Sequence, residues 1–297
     1  MFKKLVNEAT LHFAMRTEGP VLVNEGTGSK IDPTLPDMSF VRCKRNGEDT
    51  VYLPGSSIKG VFRTRYEQLM RAFGKPVCEL STKDKNCGDL IRNKKIALDG
   101  STRYKKSCAA CRFFGSTSLA GRVCFSDAYP VQNMKLEMGM RNGVSINRIT
   151  GAAQTQTGAL FNIETLEIGT FDFNIRMVNF SLYQLYMLIW ILQDIDDGLV
   201  TIGMGGSRGN GQMRIHEAEN MKLSYRFYDA TSDIGRLRGY NINDLGSIVE
   251  YDPFAFVHKT KLTGMMNIIK AIGYENTDAL CKAIRSEPWD CIYKSGK

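Results

Sequence analysis

The chain has 297 residues, 43% of them apolar, and a formal net charge of +8 from 39 basic and 31 acidic residues. That length supports a sizeable core in one large domain. No run of eighteen apolar residues occurs, which excludes a membrane-spanning helix of that kind. The start, Met1-Phe2-Lys3-Lys4-Leu5-Val6-Asn7-Glu8, lacks the long apolar core of a signal peptide. The expectation is a cytoplasmic protein whose eight cysteines are reduced thiols or metal ligands.

Leu5 to Met15 alternates, with Leu11, Phe13 and Met15 separated by polar residues, and reads as a strand. Residues 24–50 hold Gly, Pro, Asn and Asp with little apolar periodicity and read as a long loop. A short apolar strand, Val51 to Leu53, then leads into Pro54-Gly55-Ser56-Ser57-Ile58-Lys59-Gly60. From Ser57 to Phe73 apolar residues fall at 58, 61, 62, 66, 69, 70 and 73, the spacing of a helix with one buried face. Ser56 or Ser57 is the expected cap. The free N–H groups, the two hydroxyls, Lys59 and Arg63 gather at the positive end of that helix, a phosphate-binding arrangement. The plainer reading is a capped helix with solvated basic residues. Residues 30–106 contain 17 Lys/Arg and 9 Asp/Glu; their surplus of 8 equals that of the whole chain. A basic surface concentrated in this way suits a polyanion, most simply a nucleic acid.

Residues 75–112 are polar, basic and cysteine-rich, and read as an insertion short of apolar residues. Cys108-Ala109-Ala110-Cys111 has the two-residue gap that zinc sites favour, and Cys78 and Cys87 complete a set of four. A structural zinc would supply folding energy on the order of 10 kcal/mol. A redox dithiol is the rival for Cys108 and Cys111, and Cys43 is an alternative ligand. Cys124, Cys281 and Cys291 read as ordinary thiols.

Arg122 to Ala128 and Ile168 to Val178 alternate as strands. Between them, 131–158 is polar, with Gly139, Gly143, Gly151 and Gly158, and reads as a protruding hairpin or loop. Arg141, Asn142, Ser145, Asn147, Arg148, Gln154, Thr155 and Gln156 offer polar contacts, and Met134, Met138 and Met140 adaptable apolar wedges. Such a hairpin suits insertion between stacked bases, or simply exposure to solvent. Leu182 to Leu192 is apolar almost all round, hence a buried helix, capped by Ser181. Gly203-Met204-Gly205-Gly206-Ser207-Arg208-Gly209-Asn210-Gly211 allows sharp turns and close backbone approach, with Arg208 as a fork-shaped phosphate donor. It lacks the spacing of a Walker loop or a dinucleotide fingerprint. Helices are expected near 261–272 and 277–286. The order of elements suits an α+β chain with a ferredoxin-like core carrying large insertions over 1–220, followed by a helical extension over 221–297. The aromatic strand signature that stacks bases in ordinary RNA-recognition motifs is missing, so contact with a nucleic acid would fall to loops and the hairpin.

The Pro-Gly-Ser-Ser helix start and the late glycine loop, in this order, resemble the RAMP superfamily of CRISPR-associated RNA-binding proteins, in particular the repeated backbone subunit of type III effector complexes. Phe114-Gly115-Ser116 leading to Gly121-Arg122-Val123-Cys124-Phe125-Ser126-Asp127-Ala128 is similar to that family's central strand motif. Ser145-Ile146-Asn147-Arg148-Ile149-Thr150-Gly151 with Gly158-Ala159-Leu160-Phe161 is similar to its thumb and the strand after it. The resemblance implies a modified RNA-recognition-motif core. It implies guide RNA held by Ser56, Ser57, Lys59, Arg63, Arg42, Arg148, Gly205, Gly206, Ser207, Arg208 and Gly209. It implies assembly with further copies and other effector subunits, and target-RNA cleavage with Mg2+ or Mn2+ at a loop aspartate: Asp37, or Asp32 if the register differs. Alternatives are a non-cleaving structural subunit of the same complex and a guide-processing endoribonuclease. The second would want a histidine base; His12 reads as a packed strand residue, and none of the three histidines, His12, His216 and His258, neighbours a flexible loop with a basic partner.

Overall fold

The computed structural model describes residues 5, 7–26, 36–80, 85–93, 99–153, 160–228, 250–252, 257–272, 277–286 and 291–293. Asp32 and Gln154, Thr155 and Gln156 lie outside the described residues. Alternation makes Asn7–Thr17 the central strand β1, burying Ala9, Leu11, Phe13 and Met15 and leaving His12 and Arg16 exposed. There follow β2 (Arg42–Arg45), β3 (Glu48–Val51), α1 (Gly55–Ala72), α2 (Cys87–Asn93), α3 (Gly100–Lys106), α4 (Ala109–Phe114), β4 (Val123–Phe125) and β5 (Tyr129–Pro130). The second half holds β6 (Glu137–Val144), β7 (Leu160–Ile168), β8 (Thr170–Val178), α5 (Leu182–Asp196), β9 (Met213–His216), β10 (Lys222–Tyr228), β11 (Glu250–Asp252), β12 (Val257–Thr263), α6 (Met265–Ile272) and α7 (Thr277–Ser286).

The main sheet is antiparallel, ordered β11-β12-β10-β1-β8-β4, with β5 added to β8. β8 runs along Glu8–Arg16 of β1, while β10 and β9 share the other edge, along Asn7–His12 and Ala14–Thr17. Phe13 stacks on Phe173 across β1 and β8 with ring centroids 5.2 Å apart.

One face of the sheet is buried against α1 and α5. α1 turns Ile58, Phe62, Tyr66 and Met70 inward at i, i+4 spacing. α5 is buried nearly all round, and Gln184 reaches back to accept from the Ser181 N–H at 3.1 Å. Phe73 meets Trp190 edge-on at 6.0 Å, and Arg65 Nε donates to Asp194 Oδ2 at 2.8 Å, joining the helices side by side. The start of α1 rests on the chain after β4. A Cβ on Gly55 would lie 2.4 Å from the Phe125 carbonyl oxygen, so only glycine allows this approach.

Several expectations change. α1 begins at Gly55 with Pro54 at its cap position, so Ser56 and Ser57 lie inside the first turn and cap nothing. The Gly55 N–H is taken by Asp127 Oδ1 at 2.7 Å. Residues 24–50 are not one irregular loop: β2 and β3 pair through an Asn46-Gly47 turn with φ of 54° and 90°, the left-handed pair a tight hairpin needs. The cysteine-rich stretch is not a separate module, because Cys78, Cys87, Cys108 and Cys111 join the central core with Phe113 and Phe114. Residues 257–263 form a strand, so the helix expected from 261 starts at Met265. Past residue 220 the chain is not purely helical, since β10 and β12 widen the main sheet.

Candidate functional site

The Pro-Gly-Ser-Ser helix and the glycine loop lie far apart in sequence and meet in space. A groove of about 590 Å3 runs between them, lined by Ser57, Gly60, Thr64, Arg65 and Gln68 of α1 and, opposite, by Thr201, Gly203 and Met204. The loop that forms the second wall is held by backbone bonds to Pro20–Leu22. Met204 N–H donates to the Leu22 carbonyl at 2.8 Å, Gly211 N–H to Pro20 at 2.7 Å, and Ile202 N–H to Gly211 at 2.8 Å. Gly203 and Gly211 have φ of +92° and +85°, and a Cβ on either would meet backbone oxygen at 2.3 and 2.5 Å. Their role is close chain packing as well as turning. Ser207, Arg208 and Gly209 are exposed at the apex, with Gly205 and Gly206 half-buried beneath.

The other sequence-marked cations divide. Lys59 is half-buried and, among the described residues, has no ion-pair partner. Arg63 is turned inward: Nε donates to Glu67 Oε1 at 2.9 Å, Nη1 to the Gly115 carbonyl at 3.0 Å, and Nη2 to Cys111 Sγ at 3.4 Å. The expectation at Arg63 is a phosphate contact; in this structure its donors are used within the protein. Arg42 is also engaged, bonding through both Nη atoms to Glu164, at 2.8 Å for Nη1 to Oε2, and to the Phe40 carbonyl. Arg65, which the sequence did not single out, lines the groove instead.

Asp37 is exposed beside β7. Its Oδ2 accepts the Asn162 N–H at 2.8 Å, and Oδ1 carries no bond among the described residues. Met38 exchanges backbone bonds with Asn162 and Glu164 at 3.2 and 2.9 Å, and Glu164 Oε2 accepts the Phe40 N–H at 2.9 Å. The Asp37 segment is thus fastened to β7 midway along the β6–β7 hairpin. Next to it a cleft of about 260 Å3 is lined by Met38, Phe161, Ile163, Met204, Gly205 and Arg208. Met204 borders both this cleft and the larger groove.

The β6–β7 hairpin exposes Met140, Val144, Ile146, Ile149 and Leu160, with Ile149 95% and Leu160 69% accessible. Sequence reasoning pointed to Met134, Met138 and Met140; Met138 packs against the core. Asn147 Oδ1 accepts from Ile149 and Thr150 N–H at 2.8 and 3.3 Å, shaping the tip beside the exposed Arg148. Phe161 fits over Gly143, where a Cβ would come within 2.1 Å of its ring.

The four cysteines expected as ligands converge. Their sulfurs all lie within 4.8 Å of one another and are buried, with Cys78 to Cys111 at 3.5 Å and Cys108 to Cys78 at 3.6 Å. Zinc–sulfur bonds of about 2.3 Å give a tetrahedral edge of about 3.8 Å, so the set fits a tetrathiolate metal such as zinc. Cys43, the alternative ligand, sits in β2 outside this cluster. Hydrogen bonds from Cys111, Cys78 and Cys87 hold the Cys108 thiol well below its ordinary range, and Cys108 in turn pushes Cys87 and Cys111 upward.

No curated protein matches the chain. A model of the RAMP superfamily matches residues 15–214, a span that takes in α1, the Asp37 segment, the cysteine cluster, the hairpin and the glycine loop. The chain therefore belongs to the RAMP superfamily, whose members are CRISPR-associated RNA-binding proteins.

Proposed function

We propose that this protein is a guide-RNA-binding backbone subunit of a type III CRISPR effector complex and that it cuts the paired target RNA beside Asp37. The observation that carries the reading is the groove shared by α1 and the glycine loop, with the Asp37 cleft beyond Met204. A guide strand laid along this groove would meet Ser57, Arg65 and the glycine-loop backbone, with the half-buried Lys59 and the exposed Arg208 and Arg148 supplying positive charge. Arg63 and Arg42 drop out of the contact set because their donors are satisfied elsewhere. The order β10-β1-β8-β4, with α1 and α5 on one face, supports a ferredoxin-like core over most of 1–220, to which β10 supplies a strand from beyond that boundary.

Base pairing would carry sequence specificity, and the protein would read the backbone. The apolar tip of the hairpin suits prying one base from the stack. RNA is cut by in-line attack of its own 2′-OH once the nucleotide is splayed. Asp37 Oδ1 is available to hold a divalent cation, which would supply Lewis-acid stabilisation of the developing charge. Asn162 N–H, on Oδ2, fixes the carboxylate's direction. Head-to-tail copies along one guide would form an open filament whose length the RNA sets.

In assembled complex with guide and paired target in Mg2+ or Mn2+, Asp37→Ala should abolish cutting and leave affinity for both strands near wild type. Normal cutting by Asp37→Ala with loss in Asp32→Ala would move the role to Asp32. No cutting by the unaltered protein would leave a structural, non-cleaving subunit.

A further inference from the structure

We infer that Arg63 is the outer-sphere cation of the four-cysteine metal centre: its guanidinium donates to the Cys111 sulfur and thereby sets the affinity of the site for its metal. A divalent ion held by four thiolates leaves a net charge of −2 inside the protein. Buried charge of that size is unfavourable unless hydrogen-bond donors and a cation answer it. The donors that reach the sulfurs include the Cys108 N–H, to Cys87 Sγ at 3.3 Å, the Cys78 N–H, to Cys108, and Arg63 Nη2, to Cys111 Sγ at 3.4 Å. Of these, only Arg63 carries charge.

Its orientation is imposed from three sides. Glu67, one turn along α1, holds Nε. The Gly115 carbonyl holds Nη1. That carbonyl is delivered by a tight turn, in which a Cβ on Gly115 would come within 2.6 Å of the Gly121 nitrogen. The Arg63 side chain is only 14% accessible, so reaching a phosphate in solvent would mean abandoning all three bonds. A lysine has a single donor point and cannot satisfy sulfur, carbonyl and carboxylate in this planar fork.

The test uses the full-length protein with Zn2+ and Co2+ as probes. Zinc affinity is measured by competition with a chromophoric chelator, and the Co2+ form reports the thiolates through its sulfur-to-cobalt charge-transfer band. Arg63→Met should weaken zinc binding about 10–100-fold, the range for loss of an outer-shell partner. It should also move the band to longer wavelength, because a thiolate without its N–H donor gives up electron density more easily. Ile58→Val, a core change on the same helix that removes no hydrogen-bond donor, should leave band and affinity at wild type even though it lowers stability. The salt dependence of RNA binding should be unchanged in Arg63→Met, since no phosphate partner is lost. Wild-type zinc affinity and band position in Arg63→Met would overturn the assignment, and so would a salt slope reduced by about one unit with metal binding intact. If Arg63→Met does not fold, Arg63→Gln decides: it keeps an N–H and loses the charge, so zinc affinity must still fall, and wild-type affinity there refutes the role.

Discussion

Two glycines five residues apart on α1 should respond to alanine with opposite sign. At Gly55, a Cβ would stand 2.4 Å from the Phe125 carbonyl oxygen and 3.0 Å from two neighbouring carbonyl carbons. Ordinary contact lies about 1 Å further out. The obstacle is backbone continuing from β4, which is paired to β8, so α1 has to retreat. Overpacking of this kind costs about 1–3 kcal/mol. The retreat also stretches the 2.7 Å bond from Gly55 N–H to Asp127, a cap-type interaction contributing about 0.5–2 kcal/mol. Against this, alanine over glycine in a helix returns at most about 1 kcal/mol. The net expectation is a loss of about 2 kcal/mol, or roughly 4–8 °C in melting temperature for a chain of this size. At Gly60, within the same helix, nothing lies within 4 Å of the added Cβ, and Gly60→Ala should stabilise by about 0.5–1 kcal/mol. Thermal unfolding followed by circular dichroism, with all three proteins at one concentration and metal loading, reads both changes. A Gly55→Ala protein that melts at or above wild type would refute the close-approach argument. A destabilised Gly60→Ala would refute the view that α1 is open at that point.

Lys59→Ala and Arg208→Ala should each weaken RNA binding with little sequence preference and lower the salt slope by about one unit, as read by filter binding across a salt series; slopes equal to wild type would remove those side chains from the contact. Glu164→Ala should free the Phe40 amide, raising its hydrogen-exchange rate at least tenfold without unfolding the sheet, while the Met38 amide, bonded to the Asn162 carbonyl, keeps its protection; unchanged exchange at Phe40 would show that the clamp is redundant. Metal binding should release protons, because Cys87 and Cys111 have thiols pushed upward by Cys108 and must be deprotonated to ligate. Zinc affinity should therefore fall as pH is lowered, and a pH-independent affinity would argue against thiolate ligation. Purified protein should carry close to one zinc per chain, and Cys108→Ser should lose it.

Local pattern made some elements legible. The i, i+4 spacing of Ile58, Phe62, Tyr66 and Met70 and the alternation of β1 led directly to the buried faces observed. The cysteine set was legible because ligand spacing is a short-range signal. β10 could have been read as well: Leu223 and Tyr225 are buried between exposed Lys222, Ser224 and Arg226. Asn46-Gly47 was a hairpin signal hidden by the charged residues around it. What no local pattern carries is direction. Arg63 and Arg65 are two residues apart on one helix, yet one faces the cysteines and the other the groove. The outcome depends on where α4 and the glycine loop arrive. Likewise, the bond between Arg42 and Glu164 joins residues 122 positions apart, a pairing visible only after the hairpin is placed.

The five residues from Pro20 to Asn24 have a consequence for how this protein can vary. Pro20 and Leu22 hold the glycine loop, Val21 exchanges two 2.8 Å bonds with Leu166 at the foot of the hairpin, Val23 accepts from Val41 at 3.0 Å, and Asn24 bridges Phe40 behind Asp37. Alternate residues of one short segment thus fix three separate working parts. A single inserted or deleted residue there would shift all of them out of register together, reversing which loop each carbonyl meets. The exposed hairpin tip around Ile149 serves no such shared role. Related chains should therefore differ in length at the tip and keep the count from Pro20 to Asn24 unchanged, so that reach toward a partner can be retuned without disturbing the spacing of groove, cleft and carboxylate.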